Sequence, residues 1–122
     1  MPDYRTLKVT HKARELGRKL YQATARFPQA ELYGLRAQLQ RGVVSVGSNI
    51  AEGAGRGTAK DFTRFLRMAR GSAYEIEFQL TIAVDLKFLS EAEAAELLDL
   101  TRQLIRMLHA LIKAIKQRSH EW

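Results

Sequence analysis

The chain has 122 residues, 46% of them apolar and 27% charged, with no cysteine and a formal net charge of +7. That length suits one domain whose core is large enough to fold without staples, and the missing cysteines exclude disulfides, thiolate metal sites and cysteine nucleophiles. No apolar run follows Met1-Pro2-Asp3-Tyr4-Arg5, and none reaches the roughly 18 residues of a membrane span, so a cytoplasmic protein with no membrane partner is expected.

The first helical segment places Val9, Ala13, Leu16, Leu20, Ala23 and Phe27 on one stripe, with Thr10 as a candidate N-cap. Pro28 restricts Phe27 and suits the first turn of a second helix. That helix carries Leu32, Leu35, Leu39, Val43, Val46 and Ile50 on its apolar side. Gly42 and Gly47 interrupt it. Each costs about 1 kcal/mol relative to alanine in a helix interior, which marks a close helix–helix approach or a bend. Gly53-Ala54-Gly55-Arg56-Gly57 ends the segment.

Thr58, with Asp61 three residues on, resembles a capping box at the start of a third helix. Its stripe is Phe62, Leu66, Ala69, Ala73, Ile76, Leu80 and Ala83. Ser90 and Glu93 repeat the capping pattern before Leu97, Thr101, Leu104, Leu108, Leu111 and Ile115, with Leu98, Ile105 and Ile112 widening the face. No strand-like alternation and no internal repeat appears. The expected fold is all-α, an antiparallel up-down four-helix bundle over residues 4–117, with a frayed tail at 118–122.

Charge is unevenly spread. Residues 1–70 hold 14 Lys/Arg against 5 Asp/Glu, a balance of +9, whereas residues 71–122 hold 6 against 8, a balance of −2. A basic half on a compact domain points to a polyanionic partner, RNA or DNA before a membrane surface. Lys60, Arg64, Arg67 and Gly71 recur at helical spacing on the third segment. Together with Lys12, Arg18 and Lys19 on the first they form a candidate phosphate-tracking face. Arg56 and Lys60 flank the glycine-rich turn, whose backbone N–H groups precede a helix. A merely solvated basic face remains open beside this reading.

Little else suggests chemistry. His11, His109 and His120 lie on separate segments, and none has a Glu three residues before it, so the Glu-x-x-His arrangement of di-iron bundles is missing. Ser72 with Glu75, or Ser45 with His109, makes a nucleophile and base on paper, but no strand-turn-helix elbow carries a serine. No catalytic residue, metal site or cofactor is expected. Ser45, Asn49, Glu52 and Arg56 share one face of the second helix, and Arg70, Ser72 and Glu75 lie near the middle of the third. Carboxylates and amides at a helix contact need partners, so these residues are expected to form an interhelical polar network that specifies register, with a binding site as the alternative reading.

The segment from Ser45 to Arg56, SVGSNIAEGAGR, resembles the four-helix-bundle proteins encoded in intervening sequences of 23S ribosomal RNA genes. The likeness extends to Leu7-Lys8-Val9, to Phe27-Pro28 with Glu31-Leu32-Tyr33-Gly34-Leu35 and Gln38, and to Phe62, Phe65, Leu66, Ala69-Arg70-Gly71-Ser72 and Glu75. It covers about residues 4–116. One departure is Gly47, where relatives often have a proline. The resemblance implies an antiparallel bundle assembling as a homopentamer with a central channel. It also implies kinship with accessory proteins of diversity-generating retroelements, which bind nucleic acid through basic surfaces and engage a reverse transcriptase. Asn49, Glu52, Arg56, Arg70, Ser72 and Glu75 carry over as motif residues without an assigned biochemical job. Two functional readings follow: a non-catalytic homo-oligomer that binds RNA or DNA, and an assembly or scaffold protein that docks an acidic protein partner.

Overall fold

The computed structural model describes residues 2–118. It contains four helices, α1 (Lys8–Thr24), α2 (Leu35–Gly55), α3 (Ala59–Asp85) and α4 (Glu91–Arg118), with short 3₁₀ turns at Tyr4–Thr6 and Gln29–Glu31. Among the described residues there is no strand, and no helix is long and apolar enough to cross a membrane. Arg118, expected in the frayed tail, is the last residue of α4. The remainder of that tail, 119–122 with His120, lies outside the described residues.

The expected stripes meet in one core. Val9, Leu16 and Leu20 of α1, Leu39, Val46 and Ile50 of α2, Phe62, Leu66, Ile76 and Leu80 of α3, and Leu104 and Leu108 of α4 are all buried there. α1 packs against α2 and α4, and α3 packs against the same two, which places α1 and α3 diagonally across the bundle. Register is legible in the cross-helix pairs. Between α2 and α3 the contacts run Gln38 with Gln79, Gly42 with Ile76, Ser45 with Ser72 and Gly53 with Phe65, rising on one helix as they fall on the other.

The helix ends follow local chemistry. Thr58 caps α3 by accepting from the Asp61 N–H at 3.2 Å. Ser90 and Glu93 form the complete reciprocal box, with Glu93 N–H donating to Ser90 Oγ at 3.1 Å and Ser90 N–H donating to Glu93 Oε1 at 3.2 Å. α1 departs from expectation: it begins at Lys8 with Leu7 as N-cap and no side-chain cap, and Thr10 is a buried residue of its first turn. Pro28 opens the 3₁₀ turn rather than α2, which starts only at Leu35, so Leu32 precedes the helix it was expected to belong to. At the end of α3, Phe88 N–H donates to Ala83 O and Lys87 N–H to Val84 O, both at 2.9 Å, the paired bonds of a Schellman ending. That ending puts Lys87 at φ 63°, a left-handed conformation normally left to glycine. Phe88 then meets Phe27 from the α1–α2 connection, with ring centroids 5.5 Å apart, and closes that end of the core.

The interior glycines divide by cause. A Cβ on Gly42 would lie 3.1 Å from Ile76 Cγ1, and one on Gly53 would lie 2.7 Å from Phe65 Cβ and 3.3 Å from the Phe62 carbonyl oxygen. These two are close-approach glycines. Gly47 has nothing within 4 Å, and α2 runs through it without a break, so no packing need inside the chain explains it.

Two outcomes follow. Gly53→Ala should cost about 1–2 kcal/mol in urea unfolding, because overpacking against Phe65 and the Phe62 backbone outweighs alanine's better helix propensity. Glu93 is held below the usual carboxylate range, first by the Ser90 N–H and then by Arg26 and the Ser90 hydroxyl. A lowered folded pKa means stabilisation that is complete above the unfolded value and is lost as pH falls through the folded one. An NMR titration of Glu93 should therefore give a midpoint below that of glutamate in the unfolded chain, with the start of α4 loosening as it protonates.

Candidate nucleic-acid interface

The polar residues singled out along α2 and α3 separate into three places. Ser45 Oγ and Ser72 Oγ lie 3.0 Å apart across the α2–α3 seam. Asn49 Nδ2 donates to the Ser45 carbonyl at 2.9 Å and to Ser45 Oγ at 3.2 Å. This three-residue cluster is half-buried and ties α2 to α3 between the close-approach glycines Gly42 and Gly53. Glu52 and Arg56 instead form an exposed ion pair of 2.9 Å one helical turn apart. Arg70 turns away toward α4, where its Nη1 lies 2.9 Å from His109 Nδ1, while Tyr74 Oη lies 3.2 Å from His109 Nε2. A guanidinium only donates, so Nδ1 accepts and the ring proton sits on Nε2, facing the tyrosine oxygen. Glu75 is exposed and has no ion-pair or hydrogen-bond partner among the described residues. The single network expected from the spacing is thus a short hydroxyl–amide seam, because Glu52 and Glu75 face solvent and Arg70 belongs to the α3–α4 contact.

The basic residues sort in the same way. At the α2–α3 corner, Gly57 adopts φ 87° and sends the chain into α3. Arg56 and Arg64 both lie over the Phe65 ring, with guanidinium carbons 5.1 and 4.5 Å from its centroid. Such stacking holds both planar groups at the surface, where Arg56 shares its edge with Glu52. Arg64 also approaches Asp61 at 3.4 Å. Lys60 and Arg67 are exposed and have no ion-pair partner among the described residues. Arg56, Lys60, Arg64 and Arg67 therefore share one corner and the outer side of α3.

The α1 cations do not join them. Lys12 pairs with Glu15 at 3.2 Å and Lys19 pairs with Glu96 of α4, which raises the lysine's pKa. Arg18 is exposed. All three sit on the helix diagonal to α3, so the continuous face expected from the two stripes is two separate surfaces. Phe65 and His109 are the contributors that spacing did not reveal. Phe65 reads as one more core aromatic, and His109 meets its partners only through α3–α4 packing. Among the described residues no three His, Asp or Glu side chains converge to hold a metal ion.

A four-helix bundle with a basic corner built on the motif-bearing α2–α3 pair is the class of protein these features define. The chain belongs to the 23S rRNA-intervening sequence protein family, whose model matches residues 5–110. Among solved structures it is similar to a protein of unknown function from the S23 ribosomal protein family of Bacteroides thetaiotaomicron. The two share 20% identity with a TM-score of 0.77, over 86% of this chain and 98% of that one, a likeness of fold. Comparison with curated proteins gives no match.

The α2–α3 seam has a direct check. Ser45→Ala removes the hydroxyl that accepts from Asn49 and pairs with the Ser72 hydroxyl, and should cost about 1 kcal/mol in urea unfolding. Ser72→Ala should cost less, because Ser45 keeps its bond to Asn49, and a double-mutant cycle should show the pair to be coupled.

Proposed function

We propose that this chain is a non-catalytic, homo-oligomeric bundle of the cytoplasm that binds RNA or DNA through phosphate contacts. The observation that carries the proposal is the corner of Arg56, Lys60, Arg64 and Arg67, where two stacked guanidinium groups and two unpaired cations face solvent together. Fixed cations spaced along a helix suit a phosphate backbone, which needs charge at intervals and little base-specific geometry. The uneven charge of the chain supports the same partner, with +9 over residues 1–70. The bundle is read as up-and-down and antiparallel, supported by the opposed register of the α2–α3 pairs. The pentameric ring is a proposal resting on the family resemblance. Lys12, Arg18 and Lys19 make a secondary contact surface in this reading, weakened by the carboxylates that already hold Lys12 and Lys19.

Filter binding of structured RNA and of duplex DNA across a salt series tests the proposal. Each neutralised phosphate contributes about −0.9 to the slope of log K against log salt on duplex DNA, so four engaged cations predict a slope of about −3.6. Arg64→Glu with Arg67→Glu should reduce the slope by about half or more and remove most retention at low salt. Unchanged retention would exclude this corner, and no retention of either nucleic acid by the wild-type chain would leave a protein-docking role in its place.

A further inference from the structure

We infer that the trough between α1 and α2 takes the unpaired nucleotides of a single strand of RNA or DNA. Its bases stack on Tyr4, Tyr21 and Tyr33 while Arg14, Arg18 and Arg41 hold its phosphates. The inference rests on the nucleic-acid reading above and adds a second surface with a ligand class of its own. Two grooves of about 480 and 630 Å³ make up the trough, and they share Tyr21 and Val44. The first is lined by Tyr4, Arg14, Arg18 and Tyr21, the second by Tyr21, Tyr33 and Arg41. Gly47 also lines the first, and a Cβ there would meet nothing within 4 Å, which leaves the floor low.

The rings select the ligand. Tyr33 is 89% exposed, Tyr21 44% and Tyr4 40%. Among the described residues none of the three joins an aromatic pair, and none of their hydroxyls has a hydrogen-bond partner. A lone exposed ring is ordinary, but several on one basic trough are the combination that binds unpaired bases. Every base has a π-face, so such stacking tolerates any sequence. In a duplex those faces are covered by neighbouring base pairs, and the rings find nothing to stack on. The α2–α3 corner is built differently, since its ring, Phe65, is buried beneath Arg56 and Arg64. That corner meets phosphates alone, and the trough meets bases as well.

Charge in the trough has one sign. No aspartate or glutamate lines either groove. Arg14, Arg18 and Arg41 are exposed and have no ion-pair partner among the described residues. The carboxylates that adjoin lining residues in sequence are all engaged: Asp3 by Arg5, Glu15 by Lys12, Glu52 by Arg56, and Glu31 by the Leu35 N–H. Arg14 and Arg18 stand one turn apart, about 6 Å along α1, and so offer charge at intervals to a strand's backbone. Lys12 and Lys19, already held by carboxylates, take no part.

Fluorescence anisotropy of the full chain with labelled oligothymidylate and oligouridylate, and with the corresponding duplexes, tests this. Three engaged arginines predict a salt slope of about −2.1 on the single strands, at about −0.7 per phosphate. Tyr21→Ala and Tyr33→Ala should each weaken strand binding by about tenfold, whereas Tyr21→Phe and Tyr33→Phe keep the ring and should stay within about twofold of the wild type. Duplex binding should be unchanged by all four. Arg64→Glu with Arg67→Glu should give the reverse pattern, losing the duplex and keeping most of the strand binding. Strand binding indifferent to the loss of both rings, or a phenylalanine variant as weak as the alanine one, overturns the stacking trough and leaves the phosphate-binding corner standing. Alanine variants that lower the mass in sedimentation velocity without changing strand affinity also overturn it, and assign the trough to a contact between chains. A wild type that retains neither strand nor duplex overturns both readings.

Discussion

The close approach of α2 to α3 is the constraint from which most of the molecule follows. It depends on Gly42 and Gly53, where a side chain would run into Ile76, Phe65 and the Phe62 backbone. Between these two contacts Ser45 meets Ser72 through a single pair of hydroxyls. The same approach sets Phe65 against Gly53, which fixes the ring that Arg56 and Arg64 share. Larger residues at 42 or 53 would part the helices, break the seam and spread the basic corner. Packing and charge display are thus one arrangement, and the motif between Ser45 and Arg56 is conspicuous in the sequence because several of its positions serve both.

Electrostatics elsewhere acts more as fastening than as display. Lys19 with Glu96 and Arg26 with Glu93 join α1 to α4, and Arg102 with Glu77 joins α4 to α3 at 3.0 Å. All three pairs have partly exposed members, so each contributes modestly to stability and mainly orients neighbouring helices. The acidic surplus of residues 71–122 supplies all three carboxylates. The net positive charge consequently collects where no acidic helix stands opposite, at the α2–α3 corner and along the outer sides of α1 and α2.

Periodicity located the helices because a stripe repeating near 3.6 residues has one way to be buried. Val9 through Phe27 and Phe62 through Ala83 went into the core as their spacing required. Side-chain caps were legible for a similar reason: Ser90 and Glu93 satisfy each other within four residues, so the pattern contains the whole interaction. Leu7 in front of α1 and Lys87 after α3 were not legible, since neither has the residue type that its position favours. The polar network was read too broadly because helical spacing says which residues share a face but not how wide that face is. Ser45 and Asn49 lie at the contact, whereas Glu52, on the same line, is already in solvent. Arg70 shows the complementary limit, because its partner His109 lies 39 residues away on a helix whose register only packing determines.

Gly47 differs in kind from Gly42 and Gly53. It sits inside the motif, in a helix that would be more stable with almost any other residue there. A Cβ added there would meet nothing within 4 Å. The position instead borders the groove between α1 and α2, which Arg14 and Arg18 also line.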